Sequence, residues 1–371
     1  MTIRIVADDL TGALDSAVQF TARAGPIPVF LRAPPAAEGN GALDTASRER
    51  PLAEAIERAS LGAAFLAGAD IAFRKIDSQM RGHWPAELKA TLDSGFASCV
   101  LAPAYPAQGR VTRSGRQWLR GPSRELRPLG PDIHAALAEA GIGRPAFRGT
   151  QAAGAGVVRV FDAESDGDLR QVVAEARAMP KPVLWCGSAG LAAALGGGAR
   201  RIDLSDAPSL AIVGSHHPAS LAQVERALAG LPPRANVAVT AEGDYGTGIE
   251  TALGAHGVAL VTFPFAGVTE PAAAAAEIRR RLARMIAALR PPPLLFATGG
   301  ETLRAIGEII GATSFVVDGE IEPGVPVSTI GGGAWAGVRV ISKSGGFGDE
   351  AFLARLFSRP HAHMPSPGIA P

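Results

Sequence analysis

Short runs of apolar and β-branched residues alternate along this chain with longer stretches whose apolar positions recur at helical spacing. "IRIVA" at residues 3–7 precedes "GALDSAVQFTARAG", whose closing Gly25 suits a helix stop. "IPVFLR" reads as the next strand, "SRERPLAEAIERAS" as a helix, and "ADIAFRKID" as a strand. The helix "PAELKATLDSG" and the strand "SCVLAPA" follow. The same alternation returns in "VVRVFDAESDGDLRQVVAEARAM" and "PVLWCGSAGLAAALGGGARR", and it restarts at Ser209 with "SLAIVGSHHPASLAQVERAL". After that come "ANVAVTAEG", "GVALVTFPF", a long helix through "AAAAAEIRRRLARMIAALR", and "PLLFATGGETLRAIGEIIG". Strand–helix–strand alternation predicts α/β architecture with mainly parallel sheets and helices on both faces. The stretches "RGPSRELRPLGPD" and "GRPAFRGTQ" fit neither period, and the region 116–149 is left without an assigned structure.

The segment "IDLSDAP" interrupts the pattern and reads as a linker near residues 203–208. Two domains follow, 1–205 and 206–358, with 359–371 expected to be a disordered tail that carries His361 and His363. A length of 371 residues suits two domains, each able to bury a core. With 36 basic and 35 acidic residues the chain has no excess of positive charge for nucleic acid, although a local anion pocket stays open. Cys99 and Cys186 lie in apolar runs and read as buried free thiols. The N-terminus enters a strand directly, without a signal-peptide pattern, and no apolar run reaches membrane-spanning length. A cytoplasmic protein with no membrane or nucleic-acid partner is expected.

Chemistry gathers where parallel sheets present ligands, at the carboxyl ends of strands. Asp8 and Asp9 follow the first strand, and Asp77 and Pro103 follow two others. "FRKIDSQMRGHWPAEL" packs Arg74, Lys75, Asp77, Ser78 and Arg81 into one strand-to-helix corner, which suits a carboxylate or phosphate ligand or, equally, a solvated loop with internal ion pairs. "DTASRER" offers Asp44, Ser47 and Arg48, with a helix N-cap at Thr45 or Ser47 as the plainer expectation. In the second half three glycine-rich turns follow strands: "VGSHHP", "TGGETLRAIGE" and "SKSGGFGDE". Each can set backbone N–H groups against an anion, yet none is a P-loop or a GxGxxG fingerprint. The plainer reading of the last is a turn before the final helix, with Asp349 and Glu350 favouring its dipole. His216 and His217 do not have helical metal spacing, and no metal ligand is assigned. Ser188 in "CGSAG" is close to a nucleophile elbow but lacks its spacing, so a helix cap is expected.

Taken together, "VADDLTGALDSAVQF", "KIDSQMRGHWPAEL", "APAYPAQGR", "DAESDGDL" and "GSAGLAAAL" in the first half, with "VGSHHPASLAQVE", "TGGETLRAIGE", "GEIEPGVPVS" and "SKSGGFGDE" in the second, resemble the four-carbon acid-sugar kinases. That family includes D-threonate, D-erythronate and 3-oxo-tetronate 4-kinases. The resemblance implies two α/β domains, the first for the acid sugar and the second for ATP with Mg²⁺, and an active-site cleft between them. By motif, the substrate side is Asp8, Asp9, Arg48, Lys75, Asp77 and Arg81. The nucleotide side is Ser215, the turn Gly299, Gly300, Glu301 and Thr302, and the glycines Gly345, Gly346 and Gly348. Asp8, Asp9 and Asp349 are the candidate catalytic carboxylates, with the choice among them open. Where the family reads KIDSTLRGN, this chain has Gln79, Met80 and His83. The activity implied is ATP-dependent phosphorylation of the 4-hydroxyl of D-threonate, with D-erythronate or 3-oxo-tetronate as alternatives. A non-catalytic sensor of acid sugar or nucleotide is a different class of reading, and an NAD-linked oxidoreductase is disfavoured by the missing GxGxxG. A homodimer is the default assembly.

Overall fold

The computed structural model describes residues 1–34, 38–121, 123–143, 157–240, 245–264 and 271–359, so the expected tail lies outside the described residues from 360 on. The chain forms two compact units, Met1–Arg200 with Val317–Gly319, and Arg201–Val316 with Glu320–Pro371.

In the first unit the strands of the main sheet are β1 (Ile3–Ala7), β2 (Ile27–Phe30), β3 (Gly41–Asp44), β4 (Ile71–Lys75), β5 (Ser98–Ala102), β9 (Val157–Val160) and β10 (Val183–Gly187). Between β5 and β9 in sequence, β6 (Arg110–Arg113), β7 (Arg116–Arg120) and β8 (Leu126–Asp132) make a separate antiparallel sheet. Two of its strands, β7 and β8, occupy part of the 116–149 region that carries neither period. The seven main strands run β2-β3-β1-β4-β10-β5-β9, every adjacent pair parallel. Their helices are α1 (Leu10–Ala17), the short α2 (Thr21–Ala24), α3 (Leu52–Leu66), α4 (Trp84–Leu92), α5 (Ile133–Glu139), α6 (Asp166–Ala176) and α7 (Ala189–Gly196). The run after β1 that reads as one helix is broken by a 3₁₀ turn at Val18–Phe20, and Gly25 ends it at φ 72°. α3 buries Ala55, Ala59, Gly62, Ala63 and Leu66, the i, i+4, i+7 stripe its sequence predicts. Trp84, Leu88, Phe96, Ile133 and Leu137 close one side of the core.

The second unit contains β11 (Leu210–Val213), β12 (Asn236–Ala238), β13 (Ala259–Thr262), β14 (Leu294–Thr298), β16 (Val325–Gly331), β17 (Arg339–Lys343) and the two ends of β15 (Ser314–Glu322), whose Val317–Gly319 counts with the first unit. Their order is β12-β13-β11-β14-β17-β16-β15, parallel as far as β17, after which β16 runs antiparallel to it. The helices are α8 (Pro218–Leu228), α9 (Tyr245–His256), α10 (Pro271–Ala287), α11 (Gly300–Ile309) and α12 (Phe352–Phe357). Phe296, Val327, Ile341, Phe352 and Leu356 pack at the centre. No helix among the described residues is long and apolar enough to cross a membrane. Cys99 and Cys186 are buried and free.

Local chemistry places each strand-to-helix turn. Asp9 caps α1 by accepting from the Gly12 amide at 2.9 Å. Ser188 caps α7, accepts from the Gly190 amide and donates to the Ala104 carbonyl, which accounts for "CGSAG" as a cap and not a nucleophile elbow. A Cβ on Gly187 would stand 2.3 Å from the Ala102 carbonyl oxygen, so β10 and β5 approach only because that side chain is absent. Gly187→Ala should therefore cost about 1–3 kcal/mol of stability through forced strand separation. Urea unfolding checks it, and an unchanged midpoint would refute the steric argument.

Candidate functional site

The carboxyl ends of β1, β3 and β4 carry a compact set of charges. Asp8 is only 1% exposed, and Arg48 grips it with a two-pronged bond, Nε to Oδ2 and Nη2 to Oδ1, both 2.8 Å. Nη2 also reaches Asp9 Oδ1 at 2.7 Å. Asp9 accepts in addition from the Thr11 hydroxyl at 2.6 Å. A second fork repeats the design: Arg81 donates to Asp77 through Nε at 2.7 Å and Nη2 at 3.0 Å. The two forks differ in exposure, since the Arg81 side chain is 56% exposed and that of Arg48 is 11%. In each fork Nη1 has no hydrogen-bond partner among the described residues, which leaves a donor for a ligand.

Lys75 enters from the end of β4, buried, and its ammonium lies beside the first turn of α1. A Cβ on Gly12 would meet Lys75 Nζ at 3.0 Å and Asp9 Oδ1 at 2.5 Å. Gly12 is thus what lets the cap and the cation share one place. Lys75 forms no ion pair among the described residues, although its charge acts on both Asp9 and Asp77. Arg110, at the start of β6, is buried with Asp77, Asp15 and Arg81 in its field, and burial pushes its guanidinium below the ordinary value. Sequence reading did not single out Arg110 or Asp15; the "GR" that ends the "APAYPAQGR" stretch was the only signal for Arg110.

Electrostatics separates the three aspartates. Burial pushes the Asp8 carboxyl above the usual range, and Asp9 and Glu87 add to this against the pull of Arg48. Burial would raise Asp9 as well, but Arg48, Lys75 and the Thr11 hydroxyl outweigh it and hold Asp9 below. At Asp77 burial is overcome by the Arg81 hydrogen bonds and by Arg48, which hold it well below the carboxylate range.

Beneath this surface lies a buried ionic strut. Arg74 and Glu87 are fully buried and 3.1 Å apart, with Arg74 also donating to Thr91 at 2.8 Å. The Ser47 hydroxyl donates to Glu87 and meets the Thr45 hydroxyl at 2.8 Å. Thr45 donates in turn to the Ala7 carbonyl, and the Ser47 and Arg48 amides both donate to the Asp8 carbonyl. This corrects two expectations. Arg74 faces the core and not the charged corner, because alternate residues of a strand point to opposite faces. Thr45 and Ser47 cap no helix; α3 starts later, behind Pro51. Ala46 and Met80 hold positive φ (48° and 63°) in the two loops that flank the forks, a strained geometry for residues with side chains.

In the second unit the glycine turns come together around Ser215 and Thr302. A Cβ on Gly345 would stand 2.1 Å from Ser215 Oγ, and one on Gly214 would stand 2.1 Å from Thr302 Oγ1. Gly299, at φ 100°, caps α11 beside both, with Gly300 and the exposed Glu301 opening that helix. Gly346 faces the His217 ring, whose Nδ1 accepts from the Ala219 amide to cap α8. Gln223 Nε2 donates to the carbonyls of Phe347, Gly348 and Asp349. Asp349 itself is exposed, accepts from the Ala351 amide and pairs with Arg355 at 2.7 Å, which holds its carboxyl below the usual value. No group of three or more carboxylate, imidazole or thiolate ligands is present among the described residues.

A family model described as a sugar-binding N-terminal domain matches residues 3–138, and one described as a nucleotide-binding C-terminal domain matches residues 210–353. The chain is 31% identical to a D-threonate kinase of Bordetella bronchiseptica, with 95% of this chain and 96% of that one aligned. It is 32% identical to a D-threonate kinase of Cupriavidus necator and 26% to one of Salmonella typhimurium, over 95% of this chain and 96% and 97% of theirs. Crystal structures from Salmonella typhimurium (TM-score 0.69) and Haemophilus influenzae (TM-score 0.67) share the fold at 20% identity, covering 96% of this chain and 98% and 99% of theirs. With relatives aligned almost end to end and both domain models matched in order, the chain belongs to the four-carbon acid-sugar kinase family.

Proposed function

We propose that this chain moves the γ-phosphoryl group of ATP to the 4-hydroxyl of a four-carbon sugar acid, D-threonate foremost. The observation that carries it is the pair of Arg–Asp forks with Lys75 at the strand ends of the sugar-binding domain. A sugar acid is an anion with adjacent hydroxyls, so it needs cations for one end and hydrogen-bond acceptors for the rest. Arg81 and Lys75 hold the carboxylate, the open Nη1 of Arg48 reaches an oxygen of the ligand, and Asp9 and Asp77 keep these cations aimed. The relatives named D-threonate kinase support that choice of acid.

In the transfer, the bond from the 4-oxygen to the γ-phosphorus forms while the bond from that phosphorus to the bridging oxygen of ADP breaks. Positioning and charge neutralisation supply most of the acceleration. Asp8 takes the proton of the 4-hydroxyl, since it alone of the three aspartates is pushed above the ordinary carboxylate range. Asp349, tied to Arg355 and held low, suits that role less. Ser215, Thr302 and the glycine turns hold the phosphates by hydroxyl and amide donors. Mg²⁺ arrives as part of the nucleotide substrate, and no step here depends on a protein-held ion.

Coupled ADP-release assays against a panel of four-carbon sugar acids should give stoichiometric ADP with D-threonate. Higher kcat/KM on D-erythronate or 3-oxo-tetronate would reassign the substrate, and binding without ADP release would make the chain a sensor. Arg81→Ala should raise KM for the acid roughly ten- to a hundredfold by removing a charge-assisted clamp, with KM for ATP kept; equal effects on both would sink the clamp. As pH falls, Asp8 takes up its proton before Asp9 or Asp77, so kcat should drop on an acid limb lying above pH ~4. Asp8→Asn should abolish that limb with most of the turnover, and a surviving limb would move the base elsewhere.

A further inference from the structure

The glycine turn after β17 has a consistent polarity. Its carbonyls point inward: Lys343 Nζ donates to those of Phe347 at 2.9 Å and Ser344 at 3.1 Å, and stands 3.5 Å from that of Gly345. The Ser220 hydroxyl takes the Gly345 carbonyl at 2.7 Å, and Gln223 holds the three that follow Gly346. The amides of Gly345, Gly346 and Gly348, by contrast, make no hydrogen bond within the described residues. Lys343 is 1% exposed and forms no ion pair among the described residues. Asp349 pairs with Arg355 of α12, Glu350 stands 4.0 Å from Arg226 of α8, and His217 lies against the outer face at Gly346.

We infer that Lys343 is a positioning residue for the nucleotide phosphates: a built-in cation that gathers the carbonyls of Ser344, Gly345 and Phe347 so that the glycine amides face the ligand. The inference rests on the kinase reading above and extends it to a residue that does not itself touch the nucleotide. An ammonium group has three donors, enough for three carbonyls, whereas the neutral amine has two and no charge. Burial pushes Lys343 down to about 8, so raising the pH through that value removes the charge, where a solvated lysine would keep it until about 10.4. One of the three Lys343 hydrogen bonds is then lost together with the charge that strengthened the others, and the turn loses its fixed polarity.

Calorimetric titration of the full chain with ADP, from about pH 7 to pH 9.5, tests this without relying on turnover. Wild-type affinity should fall by about tenfold across that range, the cost of one charge-assisted hydrogen bond lost. Lys343→Met should start at the weakened affinity and show no further decline, and Lys343→Arg, which stays charged, should bind tightly with a flat profile. KM for the sugar acid should not move in either variant. A flat wild-type profile, or wild-type ADP affinity in Lys343→Met, overturns the inference. Should the Met variant not fold, the Arg profile decides, since a decline persisting in it refutes the role of charge. A wild-type chain that binds ADP at no pH removes the kinase reading itself, and the inference with it.

Discussion

Two adjacent aspartates at the end of a central strand can coexist only because a single guanidinium holds both. At the separation of neighbouring side chains the repulsion between two carboxylates is small in water but grows steeply as solvent is excluded. Arg48 answers this by gripping Asp8 with two bonds and Asp9 with a third. Its reach depends on the loop that carries it, and that loop is fixed from below by Ser47 on Glu87 and Thr45 on the Ala7 carbonyl. Arg74 and Glu87 form a wholly buried ion pair, which is seldom a net source of stability. Its use here is geometric, because α4, β4 and the 45–48 loop meet at one charged point whose position cannot drift without stranding an ion.

On the proposed reading the two units would meet their ligands with opposite means. The first uses side-chain charge in alternating sign, Arg48 on Asp8 and Arg81 on Asp77, with Lys75 between the α1 cap and the Asp77 corner. The second uses backbone, with glycine amides and helix starts gathered around Ser215 and Thr302. Forked pairs give direction, which suits a small chiral acid with several hydroxyls. Amide clusters give diffuse positive potential, which suits phosphates whose oxygens are equivalent. In the second unit the buried cation Lys343 donates to backbone carbonyls and to no carboxylate among the described residues.

Much of this was legible in the sequence, for reasons that are local. Strand ends, the Ser188 cap and the glycine turns depend on residues near one another in the chain. So does the placement of Asp8, Asp77 and Arg81 at strand exits. What was not legible is long-range. Nothing local shows that Ser47 will meet Glu87 forty residues later, or that Arg74 turns to the core while Lys75 turns to α1. The sheet β6–β8 was missed because β6 and β7 are short and Arg-rich and β8 carries Pro and Gly, so none of the three shows an apolar alternation. Lys343 was passed over because a lysine ending a strand looks like a solvated charge until its carbonyl partners are known.

The departures from the family's usual run bear on how far the acid-sugar site itself has changed. Met80 packs into the first unit's core, against Gly130 of β8, whose own Cβ would come within 2.7 Å of the Met80 Cβ. His83 turns away to the Arg50 carbonyl at 2.7 Å. Both substitutions therefore serve packing and loop tethering, while Asp77 and Arg81 keep their fork between them. The Met80 amide still donates to the Asp77 carbonyl, and the Arg81 amide to the Asp77 carboxylate, so the backbone turn that aims the fork is independent of which side chain fills position 80. A turn defined by its backbone bonds can exchange buried side chains without moving its charges, and for that reason the altered motif and an intact charged corner occur together in this chain.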